Sequence, residues 1–218
     1  MEIIAVSLHR PQAGAIARAL DVLKAGGVVA YPTDTAYGLA VDATNEEAIG
    51  KIFVLKKRAQ KPLPVLVDSK KMVHRYATVD DRAAKYLAKY WPGSVTFVLP
   101  CRQILPASLT VGLQTLAMRM ADVPIAKAIV RGLGKPITCT SANLSGAGVL
   151  YSGQEVVRHF QKFAMQPDLV LDAGDIPENP PTTIVDLSVT PPVILRQGIV
   201  HVPLRFPASP RTSRKARK

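Results

Sequence analysis

Phe53-Val54-Leu55-Lys56-Lys57-Arg58-Ala59-Gln60-Lys61-Pro62-Leu63-Pro64-Val65-Leu66 carries the chain from one kind of structure to another. Its first residues close a helical pattern, its prolines punctuate a loop, and its last residues are a short apolar strand. A helix handed to a strand through a short loop is how an α/β chain reads. The same stretch holds Lys56, Lys57, Arg58 and Lys61 with no carboxylate among them. Two readings stay open at this point. Arg offers forked donors and Lys a mobile point charge, which suits a polyphosphate. Cations at a helix C-terminus also complement the macrodipole and cap its last carbonyls with no ligand involved.

Working back, Thr44-Asn45-Glu46-Glu47 reads as a capping box opening the helix that ends at this basic stretch. Before it, residues 28–31 form a buried strand closed by Pro32, followed by the hydroxyl-rich turn Thr33-Asp34-Thr35-Ala36-Tyr37-Gly38-Leu39. Ligands of open α/β sheets gather beyond such strand ends. Residues 2–8 suit a first strand, and residues 11–25 a helix with Ile16, Leu20 and Leu23 on one face, stopped by Gly26-Gly27.

Working forward, residues 64–67 read as a strand and residues 80–90 as an amphipathic helix packed through Ala84, Leu87 and Ala88. Trp91 is expected to be a hydrophobic anchor rather than a stacking platform. Residues 95–99 are a strand, Thr115-Leu116-Ala117-Met118-Arg119 a further segment, and Pro124 opens a helix that Gly134 ends. Residues 137–140 feed Ser141-Ala142-Asn143-Leu144-Ser145-Gly146, and Ser152 with Glu155 forms another capping box. Residues 169–172, 183–187 and 193–196 complete the strands. The alternation predicts one α/β domain over residues 1–203: a twisted, mixed, open sheet with flanking helices.

Composition narrows the class. A chain of 218 residues, 48% hydrophobic and 20% charged, suits a packed globular protein. No apolar run approaches the roughly 20 residues that span a bilayer, and the N-terminus lacks a secretory pattern, so a cytoplasmic protein with reduced Cys101 and Cys139 is expected. The net charge of +12 points to polyanionic partners, nucleotide or RNA. Part of it is local: five of the last eight residues are basic, and residues 204–218 are expected to form a disordered basic tail. No dinucleotide fingerprint, Walker loop or nucleophile elbow is present. His9, His74, His159 and His201 stand too far apart for a metal site, so no metal ligand is assigned.

What remains is a set of hydroxyls, amides and cations near strand ends: Thr35, Lys56, Arg58, Thr115, Arg119, Ser141, Asn143, Thr182 and Arg196. Each has a plain structural reading; Ser141 and Asn143 could be turn-formers, and Arg119 and Arg196 strand arginines reaching a rim. Together they offer cations for phosphate, a forked donor for carboxylate and hydroxyls for a small polar group, without a nucleophile.

Tyr31-Pro32-Thr33-Asp34-Thr35-Ala36-Tyr37-Gly38-Leu39 resembles the opening signature of the YrdC/YciO/YwlC family. Lys56-x-Arg58, Thr115 to Arg119, Ser141-x-Asn143, and Pro181-Thr182-Thr183 with Leu195-Arg196-x-Gly198 resemble its later motifs, in order. The resemblance implies a nucleotidyltransferase making threonylcarbamoyl-AMP and pyrophosphate from L-threonine, bicarbonate and ATP, with Mg²⁺ accompanying the ATP. It implies ATP contacts at Lys56, Arg58, Thr115, Asn143 and Arg196, with Lys56 and Arg58 also catalytic. Threonine contacts are implied at Thr35, Arg119, Ser141 and Thr182. The implied partners are tRNA or double-stranded RNA and a downstream tRNA threonylcarbamoyl transferase complex. An RNA-binding or YciO-like member without this activity, or with another substrate, is the alternative. Thr182 in place of a more usual serine leans towards the YciO branch, whereas the retained Lys-x-Arg and Ser-x-Asn motifs lean away from it. Leu66 stands where many members carry a histidine.

Overall fold

A computed structural model describes residues 1–57 and 61–204. β1 (Glu2–Ala5) leads to α1 (Ala13–Lys24), β2 (Val29–Pro32) and β3 (Tyr37–Ala40). Next come α2 (Glu46–Leu55), β4 (Val65–Leu66), α3 (Lys70–Tyr76), α4 (Asp81–Tyr90) and β5 (Val95–Pro100). The second half holds α5 (Ala107–Thr110), β6 (Thr115–Arg119), α6 (Pro124–Leu133), β7 (Ile137–Thr138) and β8 (Thr140–Ser141). It closes with α7 (Gly153–Phe160), β9 (Leu169–Asp172), β10 (Thr183–Asp186) and β11 (Val193–Arg196).

The expected mixed α/β fold is present, and its described strands divide between two hydrogen-bonded sheets. One runs β1-β9-β2-β3-β8; the other runs β11-β10-β5-β6-β4-β7. Both mix parallel pairs, such as β1 with β9 and β5 with β10, with antiparallel pairs, such as β2 with β3 and β5 with β6. A bridge between Asp42 and Ile137 stitches one sheet to the other.

Side-chain alternation explains how the second sheet can serve two environments. Val95, Phe97 and Leu99 of β5, Leu116 and Met118 of β6, and Val185 of β10 point into the main core. The intervening Thr96, Val98, Thr115, Ala117, Arg119, Ile184 and Asp186 face a cavity. Aromatic residues brace the core side. Trp91 lies 5.4 Å from Phe97 between ring centroids, with its indole N–H on the Val95 carbonyl at 2.7 Å, so it is an anchor. A second apolar layer under α1 and α6 joins Ala19, Leu23, Ile125 and Ile129 to Val29 and Leu169 of the first sheet.

Local signals mostly act where the residues place them. Ser152 and Glu155 form a reciprocal capping box at α7, and Asp80 caps α4. Gly134 ends α6 at φ +68°, a conformation suited to glycine. The cap at α2 is Asn45, whose side chain accepts from the Ala48 N–H at 3.1 Å, and not Thr44. The Asp42 carboxylate, two residues back, takes the Thr44 hydroxyl at 2.6 Å and removes it from capping. Tyr37 and Leu39, read as turn residues, belong to β3, because Tyr31 to Pro32 folds back on Tyr37 to Gly38 in register. Arg58, and the expected basic tail apart from Leu204, lie outside the described residues.

Candidate functional site

Between the two sheets lies a cavity of about 640 Å³. Its floor is the cavity-facing row of β5, β6 and β10. Its walls are the β2–β3 turn with Thr33, Thr35 and Gly38, the Cys139-Thr140-Ser141 segment, and Tyr151. Asn179, Pro181 and Thr182 close one side, with Leu195 and Arg196 of β11 at the rim. Of the residues singled out from sequence, Thr35, Thr115, Arg119, Ser141, Thr182 and Arg196 therefore meet in one cavity. Thr35 and Arg196, near opposite ends of the chain, line the same cavity because both sheets contribute to its lining.

Arg119, the last residue of β6, is 2% exposed. Its Nε donates to the Gly93 carbonyl at 3.0 Å, and its Nη2 is paired with Asp34 Oδ2 and lies 3.4 Å from Ser94 Oγ. Ser94 Oγ donates to the same Asp34 oxygen. No hydrogen bond among the described residues engages Nη1. A buried guanidinium needs a counter-charge, and Asp34 supplies it on one edge while the other edge remains for a ligand.

Lys56 and Asn143 take different places from the wall residues. Lys56 is 3% exposed, and its ammonium donates to the carbonyls of Ser141 and Asn143, the latter at 2.7 Å. Asn143, also buried, accepts from Ser141 Oγ at 2.5 Å and donates to the Ala147 carbonyl at 2.5 Å. The Ser145 N–H returns to the Lys56 carbonyl at 2.9 Å, and the Leu144 N–H donates to His159 Nε2 at 3.2 Å. The loop after β8 is thus pinned from below by the end of α2, with the Lys56 ammonium on carbonyls of that loop and not shown on the last carbonyls of its own helix. Lys57 instead sets its ammonium 4.6 Å from the Phe163 ring centroid.

At the rim, Arg196 donates from Nε to the Thr182 carbonyl at 3.0 Å and from Nη2 to Thr182 Oγ1 at 2.9 Å. Thr182 Oγ1 lies 3.2 Å from Thr96 Oγ1, extending the polar row inward. Gly198 allows this: an added Cβ would sit 2.1 Å from the Pro181 carbonyl oxygen. Burial lowers the Arg196 pKa, with Arg119 adding to the effect. Burial pushes the Cys139 thiol up, keeping it protonated at the wall, and raises the neighbouring Tyr31 hydroxyl as well. Tyr37, beneath the turn, is pushed up to about 12 by burial.

Sequence reading missed Thr33, Thr96, Cys139, Tyr151 and Asn179 as wall residues. Thr96 was within reach, since it shares its face with Val98 and opposes the apolar Val95-Phe97-Leu99 set. Asn179 had no such signal; its place follows from a bond of 2.8 Å from Nδ2 to the Asp34 carbonyl. Among the described residues no group of three or more His, Cys, Asp or Glu could hold a metal ion. No described helix is long and apolar enough to cross a membrane.

The family described as telomere recombination, Sua5/YciO/YrdC, matches residues 21–198. A threonylcarbamoyl-AMP synthase of Psychromonas ingrahamii is 36% identical over 174 residues, covering 78% of this chain and 91% of that protein. The crystal structure of Pyrococcus abyssi Sua5 complexed with L-threonine superposes with a TM-score of 0.85 at 32% identity, over 91% of this chain and 58% of that one. The crystal structure of Escherichia coli YciO gives a TM-score of 0.84 at 27% identity, over 94% and 99% respectively. The chain spans about half the length of the longer curated relatives it matches. With its motifs in order, its two sheets closing on one cavity and its match over most of its length, this chain belongs to the Sua5/YciO/YrdC family.

Proposed function

We propose that the chain is a threonylcarbamoyl-AMP synthase, joining L-threonine, bicarbonate and MgATP into L-threonylcarbamoyl-adenylate with release of pyrophosphate. The observation that carries this reading is the buried Arg119 guanidinium, paired on one edge and lining a cavity rich in hydroxyls. A fork of donors at the end of a strand suits an α-carboxylate, and the hydroxyls of Thr35, Ser141 and Thr182 suit the small polar remainder of threonine. The P. abyssi relative's complex with L-threonine supports threonine as the ligand.

The chemistry needs no enzyme nucleophile. The substrate amine and bicarbonate give a carbamate with loss of water, and a carbamate oxygen then attacks the α-phosphorus as pyrophosphate leaves. Catalysis becomes positioning plus charge stabilisation. Arg196 and Thr115 are assigned to the nucleotide from the cavity rim and floor, and Lys56 and Asn143 through the loop they shape. Arg58 is assigned to the nucleotide and to catalysis from its place in the motif, whereas Lys56, which the motif assigns to the same roles, acts through the loop after β8. The product's use in tRNA modification would place the protein in the cytoplasm, in company with RNA and a transferase complex.

Arg119→Ala tests the reading. Truncating one member of a hydrogen-bonded charge pair costs about 2 kcal/mol or more, so threonine should bind about 30-fold weaker or worse, with ATP affected less than about threefold. Arg119→Lys, which keeps the charge and loses the fork, should fall between. Equal losses for both ligands would overturn the assignment. The near full-length likeness to YciO favours a second reading, the same fold acting on another substrate or only binding RNA. Pyrophosphate release that depends on another amino acid, or on none, would select it.

A further inference from the structure

We infer that Asp34 is a positioning residue for the Arg119 carboxylate subsite, setting the guanidinium plane as well as supplying its counter-charge. The inference rests on the reading of Arg119 as the partner of threonine's carboxylate. Three groups hold the guanidinium: the Gly93 carbonyl at Nε, with Asp34 and Ser94 at Nη2. They come from both sides of the cavity, since Gly93 and Ser94 precede β5 whereas Asp34 sits in the β2–β3 turn. Asp34 is itself anchored. Ser94 Oγ donates to its Oδ2, and its carbonyl accepts from Asn179 Nδ2 at 2.8 Å.

The pairing is one-sided. Oδ2 serves both Arg119 and Ser94, while Oδ1 is buried with no hydrogen-bond partner in the protein. A carboxylate placed to neutralise arginine most fully would meet the fork with both oxygens. Here it holds one corner, which fixes the plane and leaves the Nη1 edge for the cavity that Arg119 lines. A single well-held donor edge is what a planar carboxylate ligand requires, and orientation of this kind is worth more than the same charge left mobile.

The two roles predict opposite signs. If Asp34 merely competes for Arg119, the isosteric Asp34→Asn variant frees positive charge and threonine binds tighter. If Asp34 positions Arg119, the weaker amide contact loosens the plane and threonine binds about tenfold weaker, as expected for losing one charge-assisted bond. The test is equilibrium binding of L-threonine and, separately, of ATP to the full chain. Expected are the tenfold loss for threonine and an ATP constant within about twofold of wild type. Ser94→Ala, which leaves the ion pair, should lose about threefold for threonine, and Ser94→Thr should restore it. Unchanged or tighter threonine binding by Asp34→Asn, in protein that binds ATP normally, overturns the inference. Should Asp34→Asn fail to fold, the Ser94 pair decides: no loss in Ser94→Ala, or no recovery in Ser94→Thr, overturns it. Wild-type protein that binds no threonine is a separate result, removing the proposed function and this inference with it.

Discussion

Lys56→Met isolates what the lysine at the end of α2 does in the absence of any ligand. The substitution keeps the apolar stem and removes the ammonium, which donates to the Ser141 and Asn143 carbonyls and lies 3.5 Å from Asn143 Oδ1. A hydrogen bond to a charged group contributes about 1.5–3 kcal/mol, and losing two from a side chain 3% exposed leaves both carbonyls short of a donor. Burying a charge is itself costly, so part of that loss is returned when methionine replaces it. We expect a net destabilisation of about 3 kcal/mol, equivalent to a melting temperature lower by roughly 6–12 °C for a domain of this size. The assay is urea unfolding of ligand-free protein, read at the midpoint with the slope checked for constancy. A lysine held only for phosphate would give the opposite result, because an unpaired buried charge destabilises the free protein. A midpoint unchanged or raised in Lys56→Met would therefore refute the pinning of the loop after β8.

Other consequences can be checked alongside. Gly198→Ala forces a Cβ to within 2.1 Å of the Pro181 carbonyl and 2.5 Å of the Thr183 nitrogen, both backbone atoms that cannot swing away. Loss of more than about 3 kcal/mol, or failure to fold, is expected at such an overpacked backbone contact; a stable, active variant would contradict the close approach of residues 181–183 and 198. His159 titrates below its usual 6.5 because of burial first and the Lys162 and Lys56 charges second. The unfolded chain then binds more protons as pH falls below 6.5, so this residue's contribution is full above that pH and declines beneath it. Melting temperature between pH 7.5 and 5.5 should fall more steeply for wild type than for His159→Gln, and equal slopes would count against a neutral His159 accepting the Leu144 amide.

Much of the architecture was written in local pattern. The alternation of Val95, Phe97 and Leu99 with Thr96 and Val98 states both the strand and its two faces, and Asp80, Ser152 with Glu155, and Gly134 mark helix ends where the structure has them. The division into two sheets was not legible. It depends on pairings such as β1 with β9, whose partners Glu2 and Leu169 have no local signal to find one another. α3 was also missed, although Ser69 caps it, because Lys70 to Tyr76 is short and buries only Val73 and Tyr76. Among site residues, the wall positions of Thr115 and Arg119 follow from the period of β6. The placement of Lys56 beneath the loop after β8 does not, since nothing in Lys56-Lys57-Arg58 shows which cation turns inward. Competition between nearby acceptors decided the α2 cap, where Asp42 drew Thr44 away and left Asn45 to do the work.

The most direct test of the central claim is pyrophosphate release by the purified full chain with MgATP, omitting L-threonine and bicarbonate in turn. The account predicts release that requires both, and its loss in Arg119→Ala at threonine concentrations that saturate wild type. Release indifferent to threonine, or none from folded protein with every substrate present, would contradict it.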